Sequence, residues 1–324
     1  DSAVYRLDRH PTMRHHPVTP MTEADLRGHL AEQTSRPVAQ VDVVTLNRGH
    51  HAAMEAIDRA VDEYGSGTVV LFDTLTDAHL DLIGRLLYET QRREQKPLFV
   101  VGSSGIEYAL TRHWHTVGTQ PQQQQHKDTL KWQMPEPSCP PIDCVVVVSG
   151  SCSPVTDRQI AWAVAQGWAE LPLDTLRLLD SAHVEAEIAE AAAQIVRQLA
   201  AGRSVIVHTC RGPTDARIAA TRGECHRRGE TTDRLGRVLG TMLRKVQLQR
   251  RIPRIGVAGG DTAGHVARAL GLDALEMVAP LAPGAPLCRA GSRDPIIDGI
   301  QITFKGGQVG HDDFFGKLLH GTAT

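Results

Sequence analysis

The chain has 324 residues, is 41 % hydrophobic, 22 % charged and only 4 % aromatic, and carries a net charge of -2 with a pI near 6.8. Length and composition fit a globular protein of two domains or one large one. The missing basic stripe excludes nucleic acid as the expected partner, and the scarcity of aromatics argues against base-stacking platforms. No apolar run approaches the length of a membrane span and no signal peptide opens the chain, so no membrane partner is expected. The six cysteines are scattered without a CxxC pair, and reduced thiols in the cytoplasm are the expectation.

Residues 1–21 are rich in Pro, His and Arg and read as loop. Thr22, with an acid three positions on, predicts a helix start, and that helix is expected to reach about Gln33. Val38 to Leu46 reads as a strand. His50 to Glu63 reads as a helix with Ala53, Ile57 and Val61 on one face. Gly65-Ser66-Gly67 turns into a strand over Thr68 to Phe72, which Asp73 ends; Asp77 to Thr90 is helical. Pro97 to Val101 reads as the next strand, running through Gly102-Ser103-Ser104-Gly105 into a helix near Ile106. This β-α-β-α-β order predicts a parallel sheet with helices on both faces. The Gly102–Gly105 turn could hold a carboxylate or phosphate, or simply cap a helix; Asp73 faces the same choice.

From His115 to Pro141 the composition shifts to Gln and Pro and reads as an interdomain connector, with a short helix over Thr129 to Gln133. The expected division is a first domain over 1–120, a linker over 121–141 and a second domain over 142–324. The second half restarts with four valines, Val145 to Val148, as expected of a strand buried on both faces of a parallel sheet. A helix over Asp157 to Gln166, a strand over Glu170 to Leu173, a helix over Val184 to Gly202 and a strand over Arg203 to His208 follow. A polar loop is expected to about Arg228, then a helix over Thr232 to Leu248. The remainder reads as a strand over Ile255 to Ala258, a helix through Leu270, a short strand over Leu275 to Val278, a Pro/Gly loop and a strand over Gly299 to Phe304. A last helix near Asp312 would be capped by Asp312 and Asp313.

Three turns in this half have one grammar. Ser149-Gly150-Ser151-Cys152-Ser153-Pro154 follows the valine strand, Gly259-Gly260-Asp261-Thr262 follows Ile255 to Ala258, and Lys305-Gly306-Gly307 follows Gly299 to Phe304. Each is a strand end, small residues and a helix start. Glycines admit close approach of backbone to a ligand, the helix start offers free N–H groups to an anion, and Lys305 could meet a phosphate. Asp261 or Thr262 could cap the new helix. Each turn alone is also an ordinary corner of an α/β domain, and Lys305 alone could be a solvated strand-end lysine; three such turns exceed chance. Ligands of open α/β sheets bind beyond strand C-ends.

The motifs GSSGIEYAL (102–110), VVVVSGSCSPVTDRQIAWA (145–163), GVAGGDTAG (256–264), APGAPL (282–287) and TFKGGQVGHDDFF (303–315), in this order, resemble the four-carbon acid sugar kinase family of threonate, erythronate and 3-oxo-tetronate kinases. HPTM and HPVTPMTEADL near the start fit it too. The resemblance implies a two-domain α/β kinase, each domain a mostly parallel sheet with helices on both faces and the active site in the cleft between them. It implies a sugar-acid-binding N-terminal domain, an ATP-binding C-terminal domain, and ATP with Mg²⁺ as cofactors. By motif, Ser151, Ser153, Gly259, Gly260, Asp261, Thr262, Lys305, Gly306 and Gly307 resemble the ATP-binding elements, with Asp261 the candidate catalytic acid and the metal ligands open. Gly102, Ser103, Ser104 and Gly105, with Asp73, are similar to the substrate side. The reading leaves room for a homodimer. Such kinases open with an Asp-Asp-Leu-Thr-Gly-Ala-like segment that this sequence lacks, and the chain starts at Asp1, so an N-terminal part is expected to be missing. The alternative is a non-catalytic module that binds a nucleotide or sugar acid; a nicotinamide dehydrogenase would need a GxGxxG turn that is not here.

Overall fold

A computed structural model describes residues 4–11, 13–14, 19–118, 140–229, 231 and 233–321. The chain forms two compact units, Asp1–Trp132 and Gln133–Thr324. The expected helix over Thr129 to Gln133 lies outside the described residues.

In the first unit, α1 (Leu26–Ala31) is capped by Asp25, whose side chain accepts from the Arg27 amide, and not by Thr22. β1 (Val38–Val41) is shorter than the apolar run suggests. Asp42 stops it: its carboxylate accepts from the Thr45 amide at 2.8 Å and starts α2 (Val43–Asn47). An apolar run carries no mark of where strand becomes helix, and the short polar residue decides. Next come α3 (His50–Tyr64), β2 (Val69–Phe72), α4 (Asp77–Glu94) and α5 (Ser104–Gly118). β1 and β2 pair in parallel from Val38↔Val69 to Val41↔Phe72. Val41, Leu46, Ala53, Ile57, Ile83, Leu86 and Ala109 form their core. Residues 97–102 are not a strand. Among the described residues the sheet here has two strands only, so the run Leu98 to Val101 has no ladder to join, and Phe99 stands 90 % exposed.

The second unit is built on seven strands. In chain order they are β3 (Val146–Ser149), β4 (Ala169–Pro172), β5 (Val205–His208), β6 (Arg254–Ala258), β7 (Leu272–Ala282), β8 (Ala285–Ser292) and β9 (Gln301–Lys305). Their spatial order is β4-β5-β3-β6-β9-β8-β7, parallel from β4 to β9 and antiparallel at β8 and β7. The helices are α6 (Pro154–Ala165), α7 (Thr175–Leu179), α8 (Val184–Ala200), α9 (Ala216–Arg228), α10 (Asp233–Gln249), α11 (Gly260–Leu270) and α12 (Phe314–His320). Alternation along β3 splits the core in two. Val146 and Val148 pack with α8, α10 and α11, while Val145 and Val147 pack with α6 and α12.

Two expectations fail here. The polar stretch before Arg228 is mostly helix α9, started by Asp215, whose carboxylate accepts from the Arg217 amide. Only Thr221 and Cys225 of α9 are buried, so it has almost no apolar stripe to announce it. The Pro/Gly loop is a tight turn at Pro283-Gly284 between two long paired strands. Gly284 has φ +76°, which the turn requires of a residue without a Cβ.

β3 sends the chain to β4 on one side, and β6 sends it towards β7 and β9 on the other. The C-terminal ends of β3 and β6 are therefore a switch point of the sheet, where ligands of open α/β folds bind. Among the described residues no helix is long and apolar enough to cross a membrane.

Candidate functional site

The strand register brings the three sequence turns to one line. Ser149 is level with Ala258, and Ala258 is level with Lys305. The ladder continues one residue into the turns: the Gly150 amide donates to the Ala258 carbonyl at 3.0 Å and the Gly259 amide to the Lys305 carbonyl at 2.9 Å.

Beyond that line the turns interlock. A methyl group on Gly150 would collide with Thr262 Oγ1, and one on Gly259 would stand 2.9 Å from the same oxygen. Gly259 also has φ +120°, outside the range of ordinary side-chain-bearing residues. A methyl on Gly307 would meet Ser151 Oγ at 2.7 Å and Ser153 Cβ at 3.0 Å. Gly260, by contrast, has open space around it, so close packing does not require glycine there.

The N-cap of α11 is Gly259, which has no side chain to cap with. Asp261 and Thr262 are inside the first turn and neither caps it, contrary to expectation. The first-turn amides of α11 therefore carry no side-chain acceptor and present a positive dipole end beside Gly150. Asp261 is exposed, and Thr262 is buried against the two glycines.

The serine turn spends its hydroxyls internally. Ser153 caps α6, accepting from the Val155 amide at 3.1 Å, and Pro154 takes the first helical position as expected. Ser151, buried, accepts from the Ser153 amide at 3.2 Å and lies 3.1 Å from the Thr156 hydroxyl. Thr156 in turn donates to the Gly307 carbonyl at 2.9 Å. Gln159 holds the next loop, donating to the carbonyls of Val309 and His311 at 3.0 and 2.9 Å. Lys305 is not solvated: it is 1 % exposed, with Nζ donating to Thr156 Oγ1 at 3.0 Å and reaching the Gly307 carbonyl at 3.5 Å. Asp313 precedes α12 without a side-chain cap, and Asp312 pairs with Arg158 instead.

Gly150, Thr156 and Gln159 belong to this arrangement and sequence reasoning did not single them out. Gly150 and Thr156 sit inside the serine motif, so spacing held the signal; the contact across 150 residues from Gln159 to Val309 left none.

Beside the serine turn, at the ends of β4 and β5, lies a second polar cluster. His208, 1 % exposed, contacts Glu170 at 2.9 Å, and Arg211 bridges Glu170 and Asp157, both at 2.8 Å. Burial pushes the His208 imidazole below its ordinary range. Asp215 is held down at about 2, first by its hydrogen bond from Arg217.

In the first unit, Asp73 follows β2 and accepts from Gln40 at 2.8 Å. Arg27, gripped by Asp25 at 2.7 and 3.1 Å, also feels the Asp73 charge, a neighbour that sequence did not indicate. Gly102 to Gly105 are partly exposed to exposed, and α5 starts within them, at Ser104. Ser103 Oγ accepts from the Gly105 amide at 3.4 Å, so part of this turn acts as a helix start.

Among the described residues no group of three or more His, Cys, Asp or Glu gathers as a metal site. A hard divalent cation at the glycine turns would thus draw most of its ligands from phosphate oxygens and water. Turns lined by backbone, with smallness enforced at Gly150, Gly259 and Gly307, fit a polyphosphate.

Residues 146–315 match the family described as nucleotide-binding C-terminal domain, and residues 2–110 the family described as sugar-binding N-terminal domain. The chain is 43 % identical over 328 residues to the 3-oxo-isoapionate kinase of Paraburkholderia graminis, covering 99 % of this chain and 66 % of that protein. It is 31 % identical to the 3-oxo-tetronate kinase of Methylobacterium radiotolerans, with 95 % and 66 % covered. For the 3-oxo-tetronate kinase of Cupriavidus necator the figures are 30 %, 95 % and 64 %. The chain thus spans just under two thirds of the length of these relatives. A crystal structure from Salmonella typhimurium LT2, provisionally described as a tRNA synthase, is 25 % identical, covers 94 % of this chain and 65 % of its own, and superposes with a TM-score of 0.68. A Haemophilus influenzae protein at 20 % identity, with the same coverage and a TM-score of 0.55, shares the fold.

Proposed function

The chain belongs to the four-carbon acid sugar kinase family, and from that premise we propose that the protein transfers the γ-phosphoryl group of ATP to a hydroxyl of a 3-oxo sugar acid. The observation that carries the reading is the convergence of the three glycine turns and the uncapped start of α11 at the sheet's switch point, in the unit that matches the nucleotide-binding family. Phosphoryl transfer asks little covalent chemistry of a protein; positioning and charge stabilisation do most of the work. The first-turn amides at Gly260, Asp261 and Thr262 would hold phosphate oxygens against the α11 dipole, and those at Gly306 and Gly307 would close the opposite side. Magnesium, when bound, would neutralise charge between phosphate oxygens. Asp261, exposed on the first turn of α11, would hold its water shell or orient the attacking hydroxyl. The sugar acid would be taken by the first unit, with Asp73 and the Gly102–Gly105 turn on the substrate side.

Among four-carbon and related acids, the 3-oxo acids come first. A relative named for 3-oxo-isoapionate has 43 % identity, and those named for 3-oxo-tetronate have 31 % and 30 %. The test is ATP turnover by the full-length protein with 3-oxo-isoapionate, 3-oxo-tetronate, threonate and erythronate. A higher kcat/KM on a 3-oxo acid is expected. Gly259→Val should abolish saturable ATP binding, and Asp261→Asn should lower kcat and alter the magnesium dependence while ATP still binds. Saturable binding of ATP and acid without turnover would replace the kinase by a sensor.

A further inference from the structure

Lys305 is one of the two largest fully buried side chains of the second unit, the other being Arg254. Arg254 is surrounded by acceptors: Gln301 Oε1 and the carbonyls of Pro140, Leu318 and Leu319. Lys305 has a hydroxyl at 3.0 Å, a long contact to the Gly307 carbonyl, and the ring of Phe314 at 5.9 Å. The acids on the elements packed around it are committed elsewhere. Asp157 of α6 pairs with Arg211, Asp312 with Arg158, and Asp313 before α12 with Lys317, while Asp261 of α11 faces solvent. Cys152 on the serine turn and His311 on the 306–313 loop leave no trace on the amine, whose titration is displaced by burial alone. Among the described residues its hydrogen-bond partners are Thr156 and Gly307, which themselves belong to the interlocked turns.

A buried ammonium without a counter-ion is costly, and the structure around it must gain something from keeping it. We propose that Lys305 is a positioning cation beneath the turns, left uncompensated until a nucleotide's phosphates arrive, so that nucleotide binding draws a proton onto its amine. The proposal rests on the nucleotide-binding reading of the same turns. Phosphate lying on Gly306 and Gly307 would meet this charge from above through the Thr156–Gly307 contacts, without touching the amine. Burial lowers the amine to about 8. In the unliganded protein it is therefore roughly half protonated at that pH, and fully protonated once phosphate favours the cation.

The test is calorimetric titration of the full-length protein with ADP from pH 7.5 to 9, in buffers of different ionisation enthalpy, which counts protons taken up per ADP. The expected result is about half a proton at pH 8, and a Kd about tenfold weaker at pH 9 than at pH 7.5. Lys305→Met, uncharged but similar in length, should still bind ADP more weakly, with no proton uptake and a flat pH profile. ADP binding by the wild-type protein without proton uptake in this range overturns the proposal while leaving the nucleotide site intact; this outcome needs no variant. Uptake that persists in Lys305→Met also overturns it. If folded wild-type protein binds no ADP at any pH, the nucleotide reading itself falls, and this inference with it. A merely structural lysine would change stability but not the proton count.

Discussion

Gly150 leaves no room for a methyl group, because Thr262 Oγ1 already occupies the place of a Cβ. Overpacking of this kind costs about 1–3 kcal/mol when the surroundings can shift. Gly150→Ala should therefore destabilise the second unit by about that amount and weaken ATP binding, because relief would push α11 away from the serine turn. Thr262→Ala removes the obstructing oxygen, so the double variant should recover much of the loss, and urea melts of both singles and the double would measure the coupling. Gly260→Ala, into open space, should leave stability nearly unchanged. The glycine pairs were legible in the sequence, but which member of each pair matters was not. Gly259 is fixed by its positive φ and by Thr262 on the first turn of α11, and Gly307 by Ser151 and Ser153 of the serine turn, distant partners about which a single sequence says nothing. Lys305 shows the same limit: its place after a strand was readable, but its burial depends on α6 and α12 closing over it.

Elements were most readable where periodicity was strong. The valine strand β3 and the long helix α8 follow their patterns within a few residues. α9 escaped because it is held by polar contacts at its start rather than by an apolar stripe. β1 and α2 ran together because the boundary depends on a single carboxylate, that of Asp42. The polar contacts before α9 make a pH prediction at this scale. His208 is held below its ordinary range by burial, so the unfolded chain takes up a proton at higher pH than the folded one. Between the ordinary imidazole value, about 6.5, and the lower folded value, stability must fall as pH falls. Urea melts from pH 7.5 downward should show this loss beginning near pH 6.5, and His208→Gln should remove that component. A loss confined to pH below about 4 would instead assign acid sensitivity to carboxylates such as Asp215, held at about 2.

At the scale of the molecule, the two units differ in how completely their sheets are furnished. Among the described residues the second carries seven strands with helices on both faces, whereas the first pairs two strands and leaves Leu98 to Val101 outside any strand and exposed. Exposed backbone without a ladder is where proteases cut first. Brief chymotrypsin treatment of this chain, read by intact mass, should give first cleavage after Phe99; first cleavage within β3 to β9 would mean this run is covered in solution. The family order of domains was legible from five ordered motifs, but the state of this run was not, since it depends on what pairs with it. Arg254 carries a different consequence. Its guanidinium holds the Pro140 carbonyl at 3.0 Å and the Leu318 carbonyl at 2.8 Å, while the Ile142 amide donates to Leu319. The first and last described turns of the second unit are thereby stapled side by side, at opposite ends of the unit in sequence but neighbours in space. A unit whose entry and exit coincide can be spliced into another host at one loop, or reopened elsewhere as a circular permutant, with only a short bridge joining its original ends.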